Sequence, residues 1–275
     1  MPYCFDVRFR TPRPVGTDRL EEMFSAAPFT QPLRFYRPVG MNTLEGWLAV
    51  DSCGYADYGD ALAAGAQLSQ GLLLVAAKRK VGLELYLRGG TNAIHVYPGG
   101  QFELRDPGLP FPTLLTDQEL KEMVSTAAES TARLTANQRI AAELLNDSLF
   151  RMTPEASFLL RISAVEALCP QAEQTGAFKT VVDGVLASIP EKASDRDQIV
   201  QALKNLRARR SVRSSCKSKV KQLIGDKKAD TFDDLYEQRS KFVHDGSGRG
   251  TLGPAADAAL EIGLALLLAD IAQSS

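Results

Sequence analysis

Short runs of alternating apolar and polar residues fill the first hundred positions: YCFDVRF, GWLAVDS, LELYLR, AIHVY and FELR. Alternation of this kind places successive side chains on opposite faces of a strand, and Pro98, Gly99 and Gly100 between the last two runs predict a hairpin. Between the second and third runs, Asp60 to Lys78 changes period. Leu62, Ala66, Leu73 and Ala77 fall on helical spacing, and the basic KRK end suits the negative end of a helix dipole. The expected fold class is α+β, with a small mixed α/β domain over residues 1–112. The segment DPGLPFP, with three prolines in seven residues, marks the boundary.

Beyond it the pattern is helical throughout. Thr116 with Glu119 predicts a capping box, Thr153-Pro154-Glu155 puts proline in a first turn, Thr231 with Asp234 resembles the acidic form of the box, and Pro254 opens a last apolar helix. Residues 113–275 are therefore expected to form an all-α domain of five to seven helices. Its long segments are expected at about 131–150, 154–168, 196–224, 232–244 and 254–272.

Composition narrows the classes. Hydrophobic residues make up 44% of 275, enough for a sizeable core. With 32 lysines and arginines against 33 acids, any attraction to nucleic acid must come from a local patch. Cys4, Cys53, Cys169 and Cys216 are too widely spaced for a C-x-x-C site and are expected as reduced thiols. The N-terminus lacks the apolar core of a secretory signal, and ALEIGLALLLADIA is too short and too interrupted to span a bilayer. A soluble cytoplasmic protein without a membrane partner is the expectation.

One such patch exists. From Lys204 through Lys221 the chain carries eight basic residues and no acid. Arg209 and Arg210 sit mid-segment, while Arg213, Lys217 and Lys221 recur at four-residue spacing as a stripe beside an apolar face. Such a stripe either tracks an RNA backbone or is balanced by acids elsewhere in the fold.

A second irregularity lies at Arg239. On a helix through 232–244, Phe232, Leu235, Tyr236, Phe242 and Val243 share one face, and Arg239 falls among them. A guanidinium cannot shed its charge, so this position calls for a carboxylate or a bound anion. Glu166 is similarly misplaced in the apolar sector of its own helix, which makes it the natural partner. His244 lies about 140° from Arg239 on ideal helix, but Asp245-Gly246-Ser247-Gly248 follows at once, so the last turn is expected to unwind and redirect the imidazole. A structural ion pair and a helix-end cap are the plain alternatives. His95, in AIHVY, is expected on the exposed side of its strand, and Trp47 in the core or an interface.

The stretch RSKFVHDG resembles the R-x-x-x-x-H motif of the HEPN superfamily, named for higher eukaryote and prokaryote nucleotide-binding domains, and is most similar to its Apea-like group. RISAVEAL resembles the family's glutamate-bearing helix, so the likeness covers about 130–272. The resemblance implies an HEPN-type helical bundle that dimerises to form one composite site, and a metal-independent endoribonuclease leaving a 2',3'-cyclic phosphate, without cofactor. It implies that Arg239 binds the scissile phosphate, His244 serves as general acid or base, Glu166 orients Arg239, and Ser240 stands where the family often carries asparagine. RNA, a second copy and an operon-encoded partner or inhibitor are the implied partners, in prokaryotic defence or stress. A non-catalytic module binding RNA or nucleotide, or assembling with a partner, is the alternative.

Overall fold

A computed structural model describes residues 2–12, 23–26, 29, 31–36, 47–86, 93–99, 116–150, 153–170, 173–190, 195–208, 211–246 and 252–274. The class is α+β: a small antiparallel sheet near the N-terminus and a predominantly helical remainder. The FELR strand, the proline-rich boundary segment, Arg209 and Arg210 lie outside the described residues.

Strand β1 (Tyr3–Arg10) is the spine of the sheet. It pairs antiparallel with β4 (Leu48–Tyr55) on one side and with β5 (Glu84–Leu85) and β6 (Ile94–Pro98) on the other. Beyond β4 come β3 (Leu33–Tyr36) and β2 (Met23–Phe24). The alternation of β1 sorts its side chains: Phe5, Val7 and Phe9 are fully buried on one face, while Cys4, Asp6 and Arg8 share the other.

Helix α1 (Tyr58–Lys78) covers the apolar face, starting at Asp57, whose carboxylate accepts from the Asp60 amide at 2.8 Å. By length and composition α1 could cross a membrane, yet 61% of its most apolar window is buried inside the fold, as in a core helix. Its far side meets α2 (Asp117–Glu129) and α3 (Ala136–Phe150). The Gln67 side-chain amide donates to the Ala128 carbonyl at 3.1 Å, and Asn146, fully buried on α3, donates to the Leu73 carbonyl at 2.9 Å. One continuous core therefore runs from Phe5 to Leu267. Helices α3, α4 (Pro154–Leu168) and α9 (Gly253–Ser274) pack together at its centre.

The capping box at Thr116 and Glu119 and the proline-opened start at Thr153 form as the sequence requires. Three expectations are corrected. The segment expected as one helix over 196–224 is two, α6 (Arg196–Ala208) and α7 (Val212–Ile224), because Ser211 caps a new start by accepting from the Ser214 amide. The helix expected from 232 begins earlier, as α8 (Asp226–Asp245), so Thr231 lies inside it and its hydroxyl donates back to the Lys227 carbonyl at 2.9 Å rather than capping. A further helix, α5 (Gly176–Ser188), packs on α6, bringing the described helices after residue 113 to eight.

The polar sheet face holds two more corrections. Cys4 and Cys53 are not free thiols: register pairs them across β1 and β4 with Cα atoms 4.0 Å apart, and they form a disulfide. Cys169 and Cys216 are reduced and buried. His95 is not an open surface group. Its Nδ1 stands 3.4 Å from Asp6 Oδ2, which also accepts from Tyr36 at 3.0 Å and Arg8 at 3.2 Å. Burial pushes the Asp6 carboxyl up, but the His95 hydrogen bond and the charge of Arg8 outweigh it and hold the pKa below its ordinary value. Trp47 is buried, with the Arg10 guanidinium 5.0 Å over its ring, as a core residue would be.

Candidate functional site

The amphipathic pattern of α8 sinks Phe232 and Leu235 into the core and leaves Tyr236, Arg239, Ser240 and Phe242 half-buried along its margin. That margin passes the C-terminal end of α4, where Glu166 projects. Arg239 Nη2 stands 4.0 Å from Glu166 Oε1, with the two side chains 30% and 22% exposed. At that separation the pair is electrostatic and lies outside hydrogen-bond range. The sequence expectation that these two misplaced charges face each other is met in position, and the grip is loose.

Tyr236 is the residue that sequence reasoning placed on the apolar face without giving it a role. It sits one helical turn before Arg239, whose guanidinium lies 5.7 Å from its ring centroid. Its phenol faces Glu166: burial raises its pKa first, then the Glu166 charge and hydrogen bond. Glu166 thus serves the phenol and the guanidinium together. The i to i+3 spacing of an aromatic and an arginine on one face was the signal that could have found it.

Beneath this trio the Cys216 and Cys169 thiols are in contact. The Cys169 thiol beside it, then burial, pushes the Cys216 thiol above its ordinary value. Lys219 fixes the end of α4: its ammonium donates to the Leu168 carbonyl at 2.6 Å and pairs with Asp270 at 2.5 Å. An orphan carbonyl of a helix C-terminus is satisfied two residues from Glu166, so α7 and α9 together set where that carboxylate stands.

His244 departs from expectation. The last turn of α8 does not unwind before it. The helix continues through Asp245 and stops at Gly246, in the left-handed region at φ 64°, whose N–H donates to the Phe242 carbonyl at 3.0 Å. His244 is therefore exposed and still helical, about 140° around α8 from Arg239. One chain alone does not bring the two together.

The basic stripe is matched by carboxylates. Arg213 donates to Asp233 at 2.5 Å and lies 4.0 Å from Glu237; Lys217 reaches Asp233 at 3.0 Å and Asp230 at 3.4 Å; Lys221 pairs with Asp226 at 2.6 Å. Every acid in the set comes from α8, the helix that follows. The Arg213 hydrogen bond leads the groups that hold the Asp233 carboxyl below its usual range. Of the two readings of this stripe, balance by acids elsewhere in the fold is the arrangement present.

No family model matches the chain, and comparisons with curated proteins and with solved structures find no similar protein.

Proposed function

We propose that the protein is a metal-independent endoribonuclease of HEPN type, in which an N-terminal α+β unit over 1–112 is joined to an HEPN-like bundle over 113–275. The observation that carries this reading is the loose hold on Arg239: a guanidinium 4.0 Å from its carboxylate and 30% exposed keeps donors for a phosphate. Glu166 and Tyr236 then orient the fork, and Arg239 stabilises the charge that grows on phosphorus as a ribose 2'-OH attacks and the 5'-oxygen leaves. His244 moves the proton, accepting it from the 2'-OH or giving it to the leaving oxygen. Because His244 and Arg239 diverge on α8, the site requires two copies, the imidazole of one meeting the guanidinium of the other. The setting that fits such an activity is RNA cutting in prokaryotic defence or stress.

The test is incubation of the purified chain with single-stranded RNA in EDTA. Cleavage leaving 2',3'-cyclic phosphate ends, lost in His244→Ala and in Arg239→Ala, is the expected result. RNA that stays intact across several substrates, or cutting that His244→Ala leaves unchanged, overturns it.

A second reading is a non-catalytic module that binds RNA or nucleotide or assembles with a partner. The ion-paired state of Arg213, Lys217 and Lys221 favours it, because a stripe committed to Asp233, Asp230 and Asp226 has little charge left to grip a long polyanion. Salt-sensitive binding without cleavage is its signature.

A further inference from the structure

Arg161, on α4, is a buried cation outside the Arg239 centre. It lies five residues before Glu166, about 7.5 Å back along the helix and about 140° around it, on another side of α4. Its Nε donates to the Ser148 hydroxyl at 3.0 Å, which donates on to the Leu145 carbonyl at 2.7 Å, while the Ser157 hydroxyl donates to the Ser148 carbonyl at 2.9 Å. Both serines are buried. The inner edge of the guanidinium is thus held by neutral groups, which fix its direction without offsetting its charge.

One carboxylate meets Arg161 among the described residues: Asp257 Oδ1 stands 3.3 Å from Nη1. The pairing is the reverse of the one on the sheet. There the Arg34 side chain is 23% exposed, and Asp51, only 3% exposed, takes it through both carboxylate oxygens. The Arg161 side chain is 8% exposed, yet its carboxylate is 83% exposed and touches it once. A desolvated charge needs a close counter-charge, and a solvated carboxylate at the end of one long hydrogen bond supplies little of it. Burial accordingly pushes the Arg161 pKa down further than Asp257 raises it.

The donors left over define a ligand. With Nε committed to Ser148, the end edge of the fork remains, and Nη2 reaches the surface with no acceptor among the described residues. The two parallel N–H groups of that edge match two oxygens of an oxyanion. The neighbouring helix favours the same sign. Asp257 is the fifth residue of α9, and helical side chains lean toward the N-terminus, so its carboxylate and the tip of Arg161 lie over the first turn, at the positive end of a 22-residue helix. There is room in that turn, where a Cβ added at Gly253 would meet nothing within 4 Å. A tetrahedral phosphate suits the place better than a planar carboxylate, because it can take both N–H groups of the fork and still turn a third oxygen toward the helix end.

We propose that Arg161 and the first turn of α9 form a binding site for a single phosphate group, and that the Asp257 carboxylate occupies this place until a phosphate displaces it. The ligand is either the free ion or a phosphate carried on a nucleotide. Neither Arg239 nor RNA cleavage enters, so this site and the Arg239 reading stand or fall separately.

The experiment titrates the isotope-labelled full chain with sodium phosphate at fixed pH, with chloride holding the ionic strength constant, and follows the amide signals of Gly253, Ala255 and Ala256. Wild type and Arg239→Ala should give the same saturable shifts. Asp257→Asn, at an exposed position, removes the competing carboxylate and should saturate at about 10-fold less phosphate. Arg161→Gln should abolish the response. A nucleoside 5'-monophosphate is the second arm: saturation at lower concentration than inorganic phosphate assigns the site to a nucleotide, and equal or weaker binding assigns it to the free ion. Absence of a saturable shift in both wild type and Asp257→Asn overturns the proposal. So does an Asp257→Asn chain that binds no more tightly than wild type, a response that a folded Arg161→Gln retains, or one that Arg239→Ala loses.

Discussion

Arg239 and Glu166 face each other at 4.0 Å, each partly open to solvent, with Tyr236 leaning on both. The distance separates two roles for the arginine. A buried, hydrogen-bonded pair is a structural commitment whose loss strands a charge, while a pair at the surface margin contributes little and leaves the cation available.

Arg239→Ala therefore leaves the fold nearly intact. We expect a loss below about 1 kcal/mol in urea denaturation, in keeping with part-exposed ion pairs, together with a loss of about 10²–10³-fold in any RNA cleavage that depends on a transition-state donor. A destabilisation of about 3–5 kcal/mol would mark a core ion pair instead and remove the premise of the site.

The α7–α8 network predicts a response to acid and to salt. Asp233 has its folded pKa depressed, with the Arg213 hydrogen bond as leading cause, so the stability it contributes is present above its unfolded value near ~3.9 and is lost as pH falls through the folded value. Asp233→Asn should flatten that acid limb in a pH series of thermal melts. It also leaves Arg213 with the Asp233 backbone carbonyl at 3.2 Å and Glu237 at 4.0 Å, and Lys217 with Asp230 at 3.4 Å, as their remaining acceptors of this network. Binding of single-stranded RNA, followed by fluorescence anisotropy, should tighten, and its slope against log salt should steepen by up to about 1.4, roughly 0.7 for each cation released. An unchanged slope would exclude the stripe from RNA contact.

What the sequence disclosed followed from how local each feature is. The capping box at Thr116, the proline start at Pro154 and the period change at α1 are written within a few residues, so they are legible. The split at Ser211 is local too, but a lone serine cap inside a continuous amphipathic pattern is outweighed by the pattern. Pairings between distant segments were hidden. Cys4 meets Cys53 only because β1 and β4 take one particular register, and the α7 stripe is neutralised only because α8 returns along it with Asp226, Asp230 and Asp233 within reach of its cations. The Arg239–Glu166 encounter was the exception, since two charges on apolar faces each advertise the need for the other. His244 shows the limit of local reading in the opposite direction: Gly246 ends the helix as expected, but one residue too late to turn the imidazole.

The cross-strand disulfide makes a prediction that the spacing of the cysteines concealed. It closes a sequence separation of 49 residues, so reduction or Cys53→Ser should lower unfolding free energy by about 2–4 kcal/mol in urea. Alkylation of the unreduced, unfolded chain should tag Cys169 and Cys216 alone, with Cys4 and Cys53 labelled after a dithiol is added. Labelling of all four before reduction would show that the bond does not form.

Two glycines in helix interiors should respond to alanine with opposite signs. Propensity alone favours alanine by about 1 kcal/mol at each. At Gly184 on α5 an added Cβ meets nothing within 4 Å, so propensity decides and Gly184→Ala should raise stability by up to about 1 kcal/mol. At Gly71 on α1 the same Cβ would lie 2.0 Å from the Ala127 carbonyl oxygen and 2.7 Å from its carbon, backbone that only a shift of α2 can move. Sterics decide there, and Gly71→Ala should destabilise by about 1–3 kcal/mol or more, despite adding a better helix former. Paired thermal or urea melts check both. A stabilising Gly71→Ala would mean that α1 and α2 do not approach so closely, and with that the continuity of the core between the sheet and the helices would fail.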